Sequence, residues 1–497
     1  MLLFFENIFK RVAYCHPFLF VYFLVFFTLQ VNAQFQFDVT VQKHYSQIFT
    51  NEALSITELK QESVASKSSE GSYIYLCGLK YVIDYFVRAK YDGVLDSLRA
   101  DNKLIKQLNP ETPFGRFCLG ESFLHLGFIQ MAQSNKFGAL LALKKSYHVH
   151  LHNVKDNPDF LPSQKTLGML EIIFNEAQNY SEFSSLITGV KASQEKGQKR
   201  LETVIRESES FRFEANLFRL LIFQFVTYDF TAATLRTTQL LKEFSKSTLV
   251  QSITAVIYTK NNESRKALGV LQAMDNYTPY FVYLQGVNEL QLLHHKKSIF
   301  YFNDFLKNNP SYYENSARFY MAKSYYLTND NKLTQLIRQV EDAPSANLAA
   351  DKVAKRKIGG LLSRNKTLLK GQLLFDGGSY NESLDQLLNV NKVMFNEADM
   401  IEYYYRLGRL YQELNEPQKA KANLLLVVFK SNNDHRTYFG PNACLQLAKL
   451  FLEDHKLIKA KQYLEAGLKY NHYEYQVSIK VKLRKVLEIV NNEAITK

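Results

Sequence analysis

Between Ile401 and Glu474 the chain runs through one pattern twice, and that repetition limits what it can fold into. In the first copy Tyr404 is followed at helical spacing by the pair Leu407-Gly408 and by Tyr411. After a short break come Ala420, Leu424 and Val427. In the second copy Cys444, Leu447-Ala448 and Phe451 take the first set of offsets, and Ala460, Leu464 and Gly467 the second. Residues three and four apart share a helix face, so each copy is a pair of helices, each with one apolar stripe. Small residues at Gly408 and Ala420 let the two backbones approach, while Tyr404 and Tyr411 fill the space beside them. One such hairpin cannot bury its apolar face alone, so about three or more copies must stack.

The pattern resembles the tetratricopeptide repeat, a unit of about 34 residues with an aromatic, a Leu-Gly pair and a Tyr on its first helix, then Ala and Phe on its second and a closing Pro. The resemblance implies an all-α, right-handed superhelical solenoid of antiparallel helix hairpins. Further copies start near Thr248, Pro279, Asn315 and Arg364, ahead of the clear ones at Ile401 and Pro441. Ala255, Tyr258, Ala267 and Leu271 mark one, closed by Pro279. Gly286, Ser298 and Phe302 mark the next, closed by Pro310. Ala322, Tyr325 and Ile337 follow, then Gly371, Leu374, Ser383 and Leu387. The array over 248–474 therefore reads as continuous, with turns of variable length.

The N-terminal half is more divergent. Asn109-Pro110 and Thr112-Pro113 stop a helix, and 114–152 reads as a hairpin with Leu119-Gly120 and Phe123 facing Ala139, Ala142 and Leu143. Leu167-Gly168 opens another helix, and Gly189 to Val204 supplies a turn and a partner. The run ALLALKKSYHVHLHN before PDFLPSQKTLG is similar to the divergent repeats of the tetratricopeptide repeat protein 39 group. Residues 72–247 are thus expected to be divergent hairpins. Residues 34–71 read as a leader with one short helix near His44 to Lys60, and 475–497 as a capping helix, apolar at Val477, Val481, Val486 and Ile489-Val490. Asp351 to Lys370 is rich in Lys and Arg, and Leu348, Val353, Ile358, Leu361 and Leu362 fall on one face. It reads as a basic amphipathic helix that packs on the array or touches an anionic membrane surface.

Only 20 Gly and 10 Pro in 497 residues argue against an all-β fold, which needs many tight turns. Lys10-Arg11, the apolar run Phe18 to Leu29 and the small-residue motif Val31-Asn32-Ala33 form a secretory signal over 1–33. The chain is therefore expected to be exported to the periplasm or beyond and to start at Gln34; the alternative is an uncleaved membrane anchor. Loss of the signal removes Lys10, Arg11 and Glu6, so the net charge of +13 hardly changes and favours acidic partners or anionic surfaces. Of the four cysteines Cys15 lies within the signal; the three that remain, Cys77, Cys118 and Cys444, are odd in number and scattered, which fits buried small residues and not a disulfide framework.

The chain has no phosphate-binding G-x4-G-K-[ST], no H-E-x-x-H and no G-x-S-x-G, and no enzyme is expected. His148 and His152 share a helix face while His150 points away, and no acid or thiol joins them. This is a solvated helix end without a metal, as is His294-His295. No cofactor is expected, and no stacking-plus-basic module suggests nucleic acid. The repeat resemblance implies instead an inner groove lined by positions 2, 5, 9, 12 and 13 of each first helix. These are Glu402, Tyr405, Arg409, Gln412 and Glu413 in one unit; Asn442, Leu445, Lys449, Leu452 and Glu453 in the next; Asn365, Leu368, Gln372, Phe375 and Asp376, and then Phe319, Lys323 and Tyr326, in the two before. The family's carboxylate clamp has Lys at position 5 and Asn at position 9, where this chain has Tyr405 and Arg409, so chaperone-tail recognition is not implied. The expectation is an exported scaffold or adaptor at the cell envelope that binds a protein or peptide through Tyr405, Arg409, Gln412, Asn442, Lys449, Gln372 and Lys323. The alternative is an envelope assembly factor that docks on a membrane surface through 351–370.

Overall fold

The computed structural model describes residues 33–50, 54–88, 93–179, 183, 185–274, 278–308, 312–344, 348–431 and 437–495. The expected export signal lies outside these residues except for Ala33, and so does the closing Pro310. Regular structure among the described residues is entirely helical, and no helix there is long and apolar enough to cross a membrane. The chain forms two compact units. The first comprises the residues up to Asn175 with Leu186–Val226 and Lys246–Leu249; the second comprises Glu176–Ser185, Thr227–Ser245 and Val250–Lys497.

Unit 1 carries α1 (Val39–Thr50), α2 (Ile56–Ala65), α3 (Glu70–Arg88), α4 (Val94–Gln107), α5 (Pro113–Ala132), α6 (Lys136–Asp156), most of α7 (Leu161–Ala177), α8 (Gln194–Glu207) and α9 (Arg212–Phe225). The leader holds two helices and not one, and it is part of the core. The ring of Phe35 sits where a Cβ on Gly71 would lie 2.2 Å away, and Phe37 packs 4.8 Å from Phe114 and 5.3 Å from Phe211. Thr112-Pro113 stops one helix and starts the next: the Thr112 hydroxyl accepts from the Gly115 N–H at 3.0 Å while Pro113 takes the first helical position. In the α5–α6 hairpin the glycine pressed against Leu143 is Gly127, whereas Gly120 faces the ring of His150. Cys77 and Cys118 here, and Cys444 in unit 2, are buried free thiols; burial pushes Cys77 and Cys444 up to about 12.

The core of unit 1 encloses an ionic cluster that the sequence pattern conceals. Lys165, fully buried, donates to Glu121 at 3.3 Å and lies 2.8 Å from Glu214. The rings of Phe117, Phe211 and Phe218 surround its ammonium with centroids at 5.2, 5.6 and 5.0 Å. Thr166 donates to Glu121, and Tyr45 of the leader donates to Glu214 at 2.6 Å. His150 is not at a solvated helix end: it is fully buried, 3.1 Å from Ser163 and 3.4 Å from Glu121. Burial alone would raise the Glu121 carboxyl, but Lys165 and then His150 hold it below the usual carboxylate range. For Glu214 burial wins over Lys165 and the carboxyl is raised.

His125, buried beside this cluster, gives unit 1 an acid sensitivity. Burial pulls its ring down to about 4, Glu121 opposing and Lys165 adding. Between the unfolded value near 6.5 and about 4, the unfolded chain binds a proton that the folded one does not. His125 therefore costs nothing above that window and about 3 kcal/mol at its lower end. Asp101 acts oppositely, because burial pushes it up to about 7 and it stabilises the fold as pH falls. His125→Gln is accordingly expected to gain about 3 kcal/mol relative to the parent between pH 7 and pH 4, read from urea midpoints. Parallel midpoints for the two proteins across that range would refute a buried neutral ring.

Unit 2 repeats one hairpin design. It contains α10 (Phe230–Glu243), most of α11 (Thr248–Lys260), α12 (Ser264–Gln272), α13 (Pro279–Gln291), α14 (His295–Lys307), α15 (Glu314–Thr328), α16 (Leu333–Glu341), α17 (Ala349–Ile358), α18 (Lys366–Asp376), α19 (Tyr380–Leu388), α20 (Glu397–Glu413), α21 (Pro417–Lys430), α22 (Phe439–Glu453), α23 (Leu457–Lys469) and α24 (Gln476–Ile495). The small-residue register is observed directly. A Cβ on Gly286 would lie 2.7 Å from Phe302, on Gly371 2.8 Å from Leu387, and on Gly408 2.7 Å from Leu424. Where Ser replaces Ala on the second helix, its hydroxyl donates to the facing glycine carbonyl: Ser298 to Gly286 at 2.9 Å and Ser383 to Gly371 at 2.8 Å.

The turns repeat as well. Asn262, Leu293, Asn329, Gly378, Asn415 and His455 each take a left-handed conformation at the end of a first helix. The next residue then donates back five positions, as from Glu263 to Tyr258 at 2.8 Å and from Glu416 to Tyr411 at 2.8 Å. Two turns meet where Ser264 N–H donates to Gly377 O at 3.3 Å, reinforced by Arg265 with Glu382 at 2.9 Å. Between Asp351 and Lys370 the chain is not one helix: α17 ends at Ile358, and α18 begins at Lys366 behind its Asn365 cap. Leu348, Ile358 and Leu361 are buried, while Leu362 points to solvent. On α24 the buried positions are Ile479, Val481, Leu483 and Val490, whereas Val477 and Ile489 are exposed.

Candidate functional site: the inner face of the C-terminal hairpins

The first helices of successive hairpins, α13, α15, α18, α20, α22 and α24, pack side by side. This brings equivalent positions into rows. Asn442 donates to the Tyr405 hydroxyl at 2.8 Å, Gln446 lies 3.3 Å from Asn442, and Gln412 lies 3.4 Å from Gln446. Tyr405 is itself buried, its ring 4.9 Å from Phe439. It positions the row and offers its hydroxyl, but not its face.

Arg364, Gln372, Glu402 and Arg406 form the centre of this face. Glu402 accepts from Arg364 at 2.7 Å and from Arg406 Nε at 2.8 Å, and the Gln372 carbonyl accepts from both arginines at 3.2 Å. Burial would raise Glu402, but Arg406 and Arg364 together lower it. Asp376, 3.4 Å from the Gln372 amide, is raised by burial against the opposing charges of Arg406 and Lys323. Lys323 lies over the rings of Phe319 and Tyr320 at 4.6 and 4.8 Å. Burial pulls it down to about 8, with Asp376 opposing and Arg364, Lys357 and Arg406 adding.

Towards the C-terminus the charge is less balanced. Arg409 pairs with Glu413 at 3.2 Å and covers Phe375 at 5.6 Å, but among the described residues its buried Nε has no hydrogen-bond partner, nor has the buried Oε1 of Gln412. The Lys449 ammonium is lowered by desolvation and then by Arg409 and Lys482, with Glu453 opposing. Lys482 of α24 is lowered by burial and by Arg409.

Lys323, Gln372, Arg409 and Lys449 thus occupy equivalent places on four successive first helices. Arg364, Arg406 and Lys482 were not expected among them. Glu402 and Arg406, four residues apart on one helix, carried a detectable pairing signal; Lys482 was hidden because α24 reads simply as a cap. On the basic α17, Arg356 and Lys357 reach Glu474 at the surface at 3.0 and 3.3 Å, and Lys357 bonds the Tyr475 hydroxyl at 3.0 Å. No group of His, Cys, Asp and Glu suited to a metal occurs among the described residues.

No protein-family model matches the chain, and no curated protein does. Among solved structures it is similar to the TPR domain of P58(IPK), with TM-score 0.22 and 15% identity over 85% of this chain and 99% of that one. It is also similar to the APC/C hetero-tetramer Cut9-Hcn1, with TM-score 0.28 and 13% identity over 92% and 100% of the two chains. The human IFIT1 dimer with PPP-AAAA gives TM-score 0.29 and 13% identity over 93% and 96%. The small-residue contacts and the repeated turns described above are what make the hairpins tetratricopeptide-like.

Proposed function

We propose that this all-α array of tetratricopeptide-like hairpins is an exported scaffold, holding a segment of a partner protein along the inner face of unit 2 without chemistry of its own. The observation that carries the reading is the row of Lys323, Gln372, Arg409 and Lys449, presented by four first helices with polar groups between them. Such a face combines contact area with directional hydrogen bonds, as extended-segment recognition requires. Docking on a membrane through α17 has less support, since its apolar positions Leu348, Ile358 and Leu361 are buried and leave no apolar face for a bilayer.

The test is affinity capture from cell-envelope and cytosolic extracts, with the chain from Gln34 and an Arg409→Glu/Lys449→Glu variant of matched melting temperature. The expected result is a partner from the envelope whose recovery falls at least about tenfold with the variant. Equal recovery by both baits would remove this face from the function. A charge-sensitive partner found in the cytosol alone would retain the groove and remove export.

A further inference from the structure

Resting on that reading, we propose that the segment held in the groove is acidic and extended, with a carboxylate at about every third residue. The row of equivalent positions does not stop at Lys449: Lys482 on α24 stands near enough to Arg409 and Lys449 for the three charges to repel. Successive rungs are then Lys323, Gln372, Arg409, Lys449 and Lys482, one on each of five first helices. The nearby carboxylates balance them only in part: Asp376 acts on Lys323 and Glu453 on Lys449. Glu402 is occupied by Arg364 and Arg406, and Glu413 by Arg409. Among the described residues Lys449 and Lys482 have no carboxylate at ion-pair distance; Lys482 rests on the ring of Tyr228 at 4.8 Å. Cations gathered with too few counter-ions raise the free energy of the empty groove, and a bound anion relieves it. The Nε of Arg409, without a hydrogen-bond partner among the described residues, adds a buried donor on the same line.

The spacing of the rungs selects the form of the anion. Packed helices lie roughly 8–10 Å apart, and an extended chain advances about 3.3 Å per residue. One rung therefore corresponds to about three residues. Asn442, Gln446 and Gln412 supply amides between rungs that suit a peptide backbone. A single nucleic-acid strand needs open aromatic faces on which bases stack, and the rings here are covered. Tyr405 is packed against Tyr438 and Phe439, Phe375 lies under Arg409, and Phe319 and Tyr320 lie under Lys323.

The experiment is fluorescence anisotropy on the full chain with three labelled synthetic peptides. One alternates Glu with Gly-Ser pairs, one has the same composition with all Glu at one end, and one has Gln in place of Glu. The spaced acidic peptide is expected to bind at least about tenfold more tightly than the others and to weaken as salt is raised. Lys449→Glu and Lys482→Glu should each weaken it by about tenfold, while Lys461→Glu, exposed on α23, leaves it unchanged. Equal binding of the three peptides would overturn the acidic register, although capture of a partner sensitive to Arg409 and Lys449 would still uphold the groove. Binding of the spaced peptide that ignores both Lys449→Glu and Lys482→Glu would overturn both. Tighter binding of a thymidine oligonucleotide or of phosphatidylserine vesicles, lost in the same variants, would overturn the peptide as occupant.

Discussion

Lys165→Met is expected to lower the stability of unit 1 by roughly 3–5 kcal/mol, the range for removing one partner of a buried ion pair. Methionine retains the length and most of the apolar contact with Phe117, Phe211 and Phe218, so the loss isolates the charge. What remains is Glu121 and Glu214, both buried, with Thr166 and Tyr45 as donors but no ammonium between them. The two carboxyls would then take up protons at a higher pH, so the deficit shrinks on acidification. Urea unfolding followed by circular dichroism measures it. Neutralising all three in Glu121→Gln/Lys165→Met/Glu214→Gln should recover most of the loss, since a buried ionic group replaced as a whole is often nearly neutral. A single-variant loss under about 1 kcal/mol would mean that water reaches the cluster.

Gly378→Ala should cost unit 2 roughly 2–4 kcal/mol, for two independent reasons. Gly378 has φ of +77°, which a side chain adopts only under strain, and its Cβ would fall 2.0 Å from the carbonyl oxygen of Asn262. That oxygen belongs to backbone and cannot swing aside, so the two meeting turns must part. Gly269→Ala is the matched control: it lies in α12 with no atom within 4 Å of a new Cβ, and should gain about 0.5–1 kcal/mol. Thermal melts of the two variants should therefore move in opposite directions. A parental melting temperature for Gly378→Ala would show that the turns do not press on each other.

What the sequence disclosed depended on whether a residue's neighbours were local. Gly286, Gly371 and Gly408 face second-helix residues of their own hairpins, at offsets of sixteen positions that recur, so their role could be read by pattern. Lys165, Glu121, Glu214 and Tyr45 come from four different helices, and no periodicity joins them. A charged residue on a helix is ordinarily solvated, which is why His150 read as exposed when Glu121 and Ser163 in fact enclose it. The leader misled for the same reason: Phe35, Tyr45 and Phe49 gain their meaning only from helices far along the chain. Along the first helices of unit 2, the alignment of Lys323, Gln372, Arg409 and Lys449 could be read from the repeat offsets, whereas the Arg364–Glu402 pair crosses from a loop to a helix 38 positions on.

The three enclosed sulfurs have a use that has nothing to do with packing. Thiolate is the reactive form of cysteine, and at Cys77, Cys118 and Cys444 both access and ionisation are withheld while the helices stay closed. Alkylation at each site is therefore a clock that runs only during opening. Two clocks sit in unit 1 and one in unit 2, so the chain from Gln34, which lacks Cys15, reports the opening rate of each unit separately without any introduced label.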